Sequence, residues 1–268
     1  MVSFRGASAD AMAALTDAVG GVAEASAAAV AGDLFSAAGA FRSEAALRRV
    51  VTDQSVPSEA RAGLVGDLFD GKVDAATLGL LRDAAGRRWT RARDLADALE
   101  QLGVIAAVRS VGLQAGTLVD ELFGVRQLVG ANSELRNALS DPVRSAADKG
   151  GLVESLLSGK VLPATIQLVQ QALSGSYRTV VAALEDYERT AAQVQGESVA
   201  TVHVARALSA ADEQRLASAL TRQYGRPVHL NIVIDPQVLG GLRVEIGDDV
   251  IDGTVVSRLD DARRKIAG

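Results

Sequence analysis

Hydrophobic positions follow two different rhythms along this chain. As far as Gly196 they recur at helical spacing; from Val199 they alternate. Leu118, Leu122, Val125 and Val129 form an apolar stripe at i, i+4, i+7 and i+11, which predicts one amphipathic helix. Asp141-Pro142 reads as the start of another, with Asp as N-cap and Pro at the first helical position. Leu152, Val153, Leu156 and Leu157 fill a helix that Ser158-Gly159 ends, a further helix begins near Pro163, and another carries Val180, Leu184, Tyr187 and Ala191. Beyond these, Val199, Thr201 and His203 alternate with Ala200, Val202 and Val204, the period of a strand. Ser209 with Asp212 three residues on resembles a capping box, and Leu216 and Leu220 continue that helix to Tyr224-Gly225. Val228, Leu230, Ile232 and Ile234 mark a second strand, stopped at Asp235-Pro236 because proline cannot donate to the ladder. Gly240-Gly241 opens a third, Leu242, Val244 and Ile246, and Gly247-Asp248 turns the chain again. After Asp252-Gly253 the helical period returns at Val255, Leu259, Ala262 and Ile266. The expected fold is mainly α: antiparallel helical bundles followed by a small α+β domain whose helices cover one sheet face.

The helical part repeats itself. Residues 33–100 match residues 121–188 at a constant shift of 88 positions without gaps. Leu34-Phe35 returns as Leu122-Phe123, Gly63-Leu64-Val65 as Gly151-Leu152-Val153, and Gly71-Lys72-Val73 as Gly159-Lys160-Val161. Asp53 returns as Asp141, Ala76-Thr77 as Ala164-Thr165, and Trp89 stands opposite Tyr177. Alanine-rich helices resemble one another by chance, but here agreement is strongest at Gly, Lys, Thr, Asp and Phe, in fixed register. Three domains are expected: a first bundle over 1–108, a second over 109–196 and the α+β domain over 197–268.

Composition narrows the function by exclusion. The chain has 268 residues, 28 basic against 33 acidic side chains and no cysteine. A disulfide framework and cysteine metal sites are therefore out. A net charge of -5 with mixed signs and no basic patch argues against nucleic-acid binding. A membrane span needs about 20 consecutive apolar residues, and Gly103–Val108 and Ala25–Ala31 are far shorter. The start carries no signal-peptide pattern, so a soluble chain is expected, tied to any membrane only through a partner.

Catalytic chemistry is hard to find. Gly66 to Lys72 fits the GxxxxGK of a phosphate-binding loop, but Val73 replaces the hydroxyl that would hold magnesium. The stretch lies inside a helix, and its repeat puts Glu154 in place of the first glycine; Gly71 and Gly159 read instead as helix ends, with Lys72 and Lys160 beside the last carbonyls. A strand follows Gly240-Gly241 where a dinucleotide site needs a helix. His203 and His229 sit in strand-like segments without a ligand motif. The pairs Asp248-Asp249 and Asp260-Asp261 read as a solvated turn and a solvated helix face. No catalytic, cofactor-binding or metal-binding residue is expected.

One helix face suggests a partner. In Pro163–Leu173, Ile166, Val169 and Leu173 form one apolar side, and Ala164, Leu168 and Ala172, with Gln171 beside them, form another. Both sides call for burial. Packing within the bundle accounts for this, and so does a groove accepting an amphipathic partner helix.

The ordered set Asp235-Pro236, Gly240-Gly241, Gly247-Asp248 and Val250-Ile251-Asp252-Gly253, followed by Val256 and Leu259, closely resembles the C-terminal signature of one family. That family is the delta subunit of the rotary proton-translocating ATP synthase, the bacterial counterpart of the oligomycin-sensitivity-conferring protein. Thr254 stands where the family usually has serine. The second bundle copy is similar to the family's N-terminal bundle at the Leu-Phe segment, Glu134-Leu135, Asp141-Pro142, Lys149 and Leu168-Val169, whereas the first copy is similar only through the repeat. The resemblance implies a non-catalytic stator of the peripheral stalk, at the cytoplasmic face of the bacterial membrane, without a cofactor. It implies that the bundle binds N-terminal helices of the alpha subunits and the C-terminal domain meets the far ends of the b subunits. A general helical-repeat adaptor with an unrelated partner is the alternative; it accounts for the duplication but not for the signature.

Overall fold

A computed structural model describes residues 4–238, 240–247 and 249–254. The chain divides into two compact units, Met1–Ala191 and Ala192–Gly268.

The first unit is all helical. Its first set of helices is α1 (Ala7–Gly20), α2 (Glu24–Ser43), α3 (Ala45–Thr52), α4 (Ser58–Phe69), α5 (Ala75–Gly86) and α6 (Ala92–Arg109). The second set is α7 (Ala115–Ala131), α8 (Ser133–Ser140), α9 (Ala146–Leu157), α10 (Pro163–Ser174) and α11 (Val180–Val194). The repeat extends to the helix boundaries. α3, α4 and α5 begin and end 88 positions before α8, α9 and α10, and α6 begins 88 before α11.

Local chemistry repeats as well. Lys72 Nζ donates to Leu68 O and Lys160 Nζ to Leu156 O, each at 2.9 Å, and Gly71 and Gly159 follow their helices at φ 67° and 73°. These lysines neutralise the C-terminal ends of α4 and α9, as the repeat led one to expect. Asp33 Oδ2 accepts from Asp74 N at 2.8 Å and Thr77 Oγ1 at 3.1 Å; Glu121 Oε2 accepts from Leu162 N at 2.9 Å and from Thr165 Oγ1. One carboxylate of α2 thus ties down the start of α5, and one of α7 the start of α10.

α6 belongs to both sets. It packs on α1, α2 and α3 before it and on α7 and α10 after it. Every residue from Ala98 to Val108 except Gln101 is buried, so this helix is apolar nearly all round. Its sequence carries the double role: Ala96-Asp97-Ala98-Leu99 with Leu102 repeats Ala9-Asp10-Ala11-Met12 with Leu15 of α1. The last helix of the first copy is therefore also the first helix of the second.

One helix start differs from expectation. Asp141-Pro142 does not open a helix; Asp141 follows α8, and its Oδ1 accepts from Val143 N at 2.9 Å in a local turn. The start of α9 lies four residues later, where Ser145 Oγ accepts from Asp148 N at 3.1 Å. Both signals were present, and the serine wins because its oxygen reaches the orphan N–H of the third helical residue.

The second unit holds β1 (Ser198–Val204), α12 (Ala210–Tyr224), β2 (Val228–Ile234), β3 (Leu242–Ile246) and β4 (Asp249–Asp252). The sheet order is β2-β1-β3-β4. β1 and β2 are parallel with Ala200 opposite Leu230, while β1–β3 and β3–β4 are antiparallel, with Val202 opposite Val244 and Val244 opposite Ile251. Ala200, Val202, Val204, Val244 and Ile246 form one buried face, packed with Leu220 and partly with Leu216 and Tyr224 of α12. β4 was not anticipated: four residues between two turn signals are too few for a period to register. The helix expected over Val255, Leu259, Ala262 and Ile266, and with it Val256 and Asp260-Asp261, lies outside the described residues.

Candidate partner-binding surfaces

The C-terminal signature residues are turn-makers. Asp235 N donates to Val204 O at 2.8 Å, and Asp235 Oδ1 accepts from Gln237 N at 2.8 Å, so Asp235-Pro236 caps β2 with a tight turn. Gly240 and Gly241 take φ 102° and 79°, and a Cβ on Gly241 would collide with Gly253 O. Gly253 N in turn donates to Leu242 O at 2.9 Å. Two halves of the signature thus meet where only glycine fits at position 241. Asp252 Oδ1 accepts from Thr254 N at 2.9 Å, and bonds from the Thr254 backbone and hydroxyl hold its carboxyl below the usual range. That hydroxyl is the group Thr254 shares with serine. Gly247, at φ 58°, lies in the turn between β3 and β4, where Ile246 pairs with Asp249; Asp248 lies outside the described residues.

The candidate groove residues are buried within the helical unit. Ala164, Leu168, Gln171 and Ala172 on α10 are 5%, 0%, 7% and 5% exposed. On another side of α10, Val169 is buried and Ile166 and Leu173 are half-buried. α10 packs against α2, α6, α7 and α9, and Gln167 Nε2 donates to Ala28 O on α2 at 3.3 Å. The first copy therefore lies alongside the helix singled out in the second.

A polar joint links the copies, and sequence reading missed it. Glu100 of α6 is 2% exposed and accepts from Arg42 of α2, from Tyr187 Oη at 2.8 Å and from Ser176 N at 3.1 Å. Tyr177 packs edge-on to Tyr187 with ring centroids 5.7 Å apart. Burial and then the Glu100 charge push the Tyr187 hydroxyl well up, so it stays a donor; Tyr177 is pushed the same way by burial and Asp186. Asp97, also paired with Arg42 at 3.3 Å, is raised by burial against the pull of that arginine. The repeat partner of Glu100 is Glu188, 1% exposed, whose carboxylate is held by Arg126 Nε at 2.6 Å and Nη2 at 3.1 Å. The available signal was one glutamate inside the apolar run Ala98–Val108.

These polar groups join helices together. The cavity at the joint, between Glu100, Tyr177, Asp186 and Tyr187, encloses about 10 Å³, room for one water at most. Among the described residues no group of three or more His, Cys, Asp or Glu could hold a metal. His203 and His229 are half-buried strand residues, His203 Nδ1 being 3.9 Å from Asp235 Oδ2. No single described helix is long and apolar enough to cross a membrane.

The chain is of the mainly helical class, with two tandem helical copies in one unit and a small mixed sheet in the other. The family model described as ATP synthase delta (OSCP) subunit matches residues 104–266. A protein of Nocardioides sp. named ATP synthase subunit delta is 58% identical over 269 residues, covering 99% of this chain and 98% of that one. Relatives of the same name from Thermobifida fusca and Kineococcus radiotolerans are 40% and 41% identical over 88% of this chain, covering 89% and 87% of theirs. A chain in the cryo-EM structure of the Toxoplasma gondii mitochondrial ATP synthase hexamer is 18% identical, with a TM-score of 0.36, covering 62% of this chain and 96% of that one; at that score the likeness carries no argument. The chain belongs to the ATP synthase delta (OSCP) subunit family, and with it to the non-catalytic components of the peripheral stalk.

Proposed function

We propose that this chain ties the catalytic alpha/beta hexamer of ATP synthase to the membrane-anchored b subunits, at the cytoplasmic face of the bacterial membrane. The helical unit meets N-terminal helices of the alpha subunits and the C-terminal unit meets b. Proton flow turns a rotor inside the hexamer, and without a tether the hexamer turns with it. A tether works by slow dissociation under torque, which favours extended helix packing, since affinity differences lie mostly in koff. The observation that carries this reading is the family match over residues 104–266, which takes in the second helical copy and the whole C-terminal signature.

The three segments 1–108, 109–196 and 197–268 are kept as a proposed division of labour, with α6 serving both helical segments. The face of Ala164, Leu168, Gln171 and Ala172 remains a candidate for a partner helix. These residues are buried within the helical unit, so a partner reaches them only if a helix packed on α10 moves.

Purifying the tagged chain from native membranes in mild detergent tests the reading. Recovery of alpha, beta, gamma and b subunits in one ATP-hydrolysing particle is the expected result. Recovery of the chain without them, at full expression, contradicts it.

A further inference from the structure

The helices α3 and α4 are held quite differently from their repeats α8 and α9. Arg61 of α4 is 3% exposed. Its Nη1 donates to Val51 O near the end of α3 at 3.2 Å and to Arg87 O at 3.1 Å, and its Nη2 donates to Gly86 O at the end of α5 at 3.0 Å. One guanidinium thus staples the ends of α3 and α5 to α4, where helix carbonyls lack partners of their own. The repeat puts Lys149 at this place in α9. Lys149 is half-buried and makes no side-chain hydrogen bond among the described residues. A single ammonium lacks the planar fork that reaches three carbonyls at once. Aromatic packing is lost as well. Phe69 of α4 meets Phe41 of α2 with ring centroids 5.9 Å apart, and the matching residues are Leu157 and Val129. Arg82 of α5 lies across Gly66 of α4. Gln170 and Glu154 replace these two, and a cleft of about 460 Å³ opens there between α9 and α10, beside Gly150 and Gly151.

We infer that α8 and α9 form a strap that opens from α10 on its own, while α3 and α4 stay closed, because the second copy lacks the arginine staple. The packing agrees. α3 packs on α2, α4 and α6, and α4 packs on α5 as well as on α3. α8 packs chiefly on α7 and α9 chiefly on α10, and the two make no comparable contact with each other among the described residues. α4 buries Arg61, Val65, Gly66 and Phe69, whereas α9 buries only Val153 and Leu157. An element with few buried side chains and a solvated backbone opens at a lower free energy than the whole domain. Opening bares Val153, Leu157 and the side of α10 that carries Gln170 and Leu173. This edge of the helical unit can then be remodelled while α6 keeps the two copies joined. The strap belongs to the chain by itself and does not depend on which subunits the chain meets.

The absence of cysteine allows a matched pair of probes. Val65 and Val153 occupy the same place in the two copies and are 0% and 3% exposed. The full-length variants V65C and V153C, their helicity checked by circular dichroism, are offered a thiol reagent under native conditions, where labelling follows the population of the open form. Loss of one hydrogen bond to a charged group changes such a population by about tenfold or more, so V153C should label at least about tenfold faster than V65C. R61K added to V65C should raise its labelling by about tenfold, and R61K added to V153C should leave that rate unchanged. Equal labelling of V65C and V153C overturns the inference, whatever R61K does. So does an R61K that speeds both positions alike or neither. Each of these results leaves the stalk reading intact, which falls only if the unsubstituted chain fails to recover the other subunits.

Discussion

The glutamates at positions 100 and 188 show how single residues fix this fold. Each lies in the same place of its copy and is almost fully buried, yet their arginines come from different turns: Arg42 of α2 and Arg126 of α7. A buried ion pair is costly to break from one side because the surviving charge is stranded. R126A should lower the unfolding free energy of the helical unit by roughly 3 kcal/mol. R126M combined with E188L should recover most of that loss, and urea denaturation of the two variants decides between them. Asp97 gives a pH test with a definite sign. Burial raises its carboxyl above 3.8, so just above that pH the folded chain holds a proton that the unfolded chain has released. Its contribution to stability therefore falls as pH rises through that window. Measured at about pH 3.5 and pH 7, D97N should gain stability relative to the unsubstituted chain, and a difference that stays flat with pH would count against the assignment. Sequence reading found the turn glycines because Gly241 has no alternative at φ 79° against Gly253. It missed Glu100 because a partner 87 positions away, Tyr187, leaves no local pattern.

Among the elements, α6 decides how the copies are joined. Periodicity placed the helices well, since each needs one apolar stripe and reads it at 3.6 residues per turn. It could not reveal that α6 serves two bundles, because a helix buried all round has no stripe. The short β4 escaped for a related reason, and Asp141-Pro142 misled because a turn and a helix start share the same chemistry. The shared helix makes a prediction about truncation. Removing residues 1–108 takes α6 from α7 and α10, so hydrogen-exchange protection along α10 should collapse. Removing residues 1–90 keeps α6 and should leave that protection largely in place. Equal loss in both truncates would mean that α6 belongs to the first copy alone.

For the whole molecule, the repeat doubles the helical part of the chain. The C-terminal unit is built on the turns of the signature, and the doubled helical unit repeats its helix boundaries at a shift of 88 positions. A tether needs surfaces that hold under load. The decisive measurement is coupling in membranes from cells whose copy of this gene is deleted, alongside membranes restored with the full-length chain. The account predicts that ATP hydrolysis by the hexamer persists without the chain, that ATP-driven proton pumping is lost, and that the restored chain returns it. Proton pumping at the full rate in membranes lacking the chain would contradict the stalk assignment.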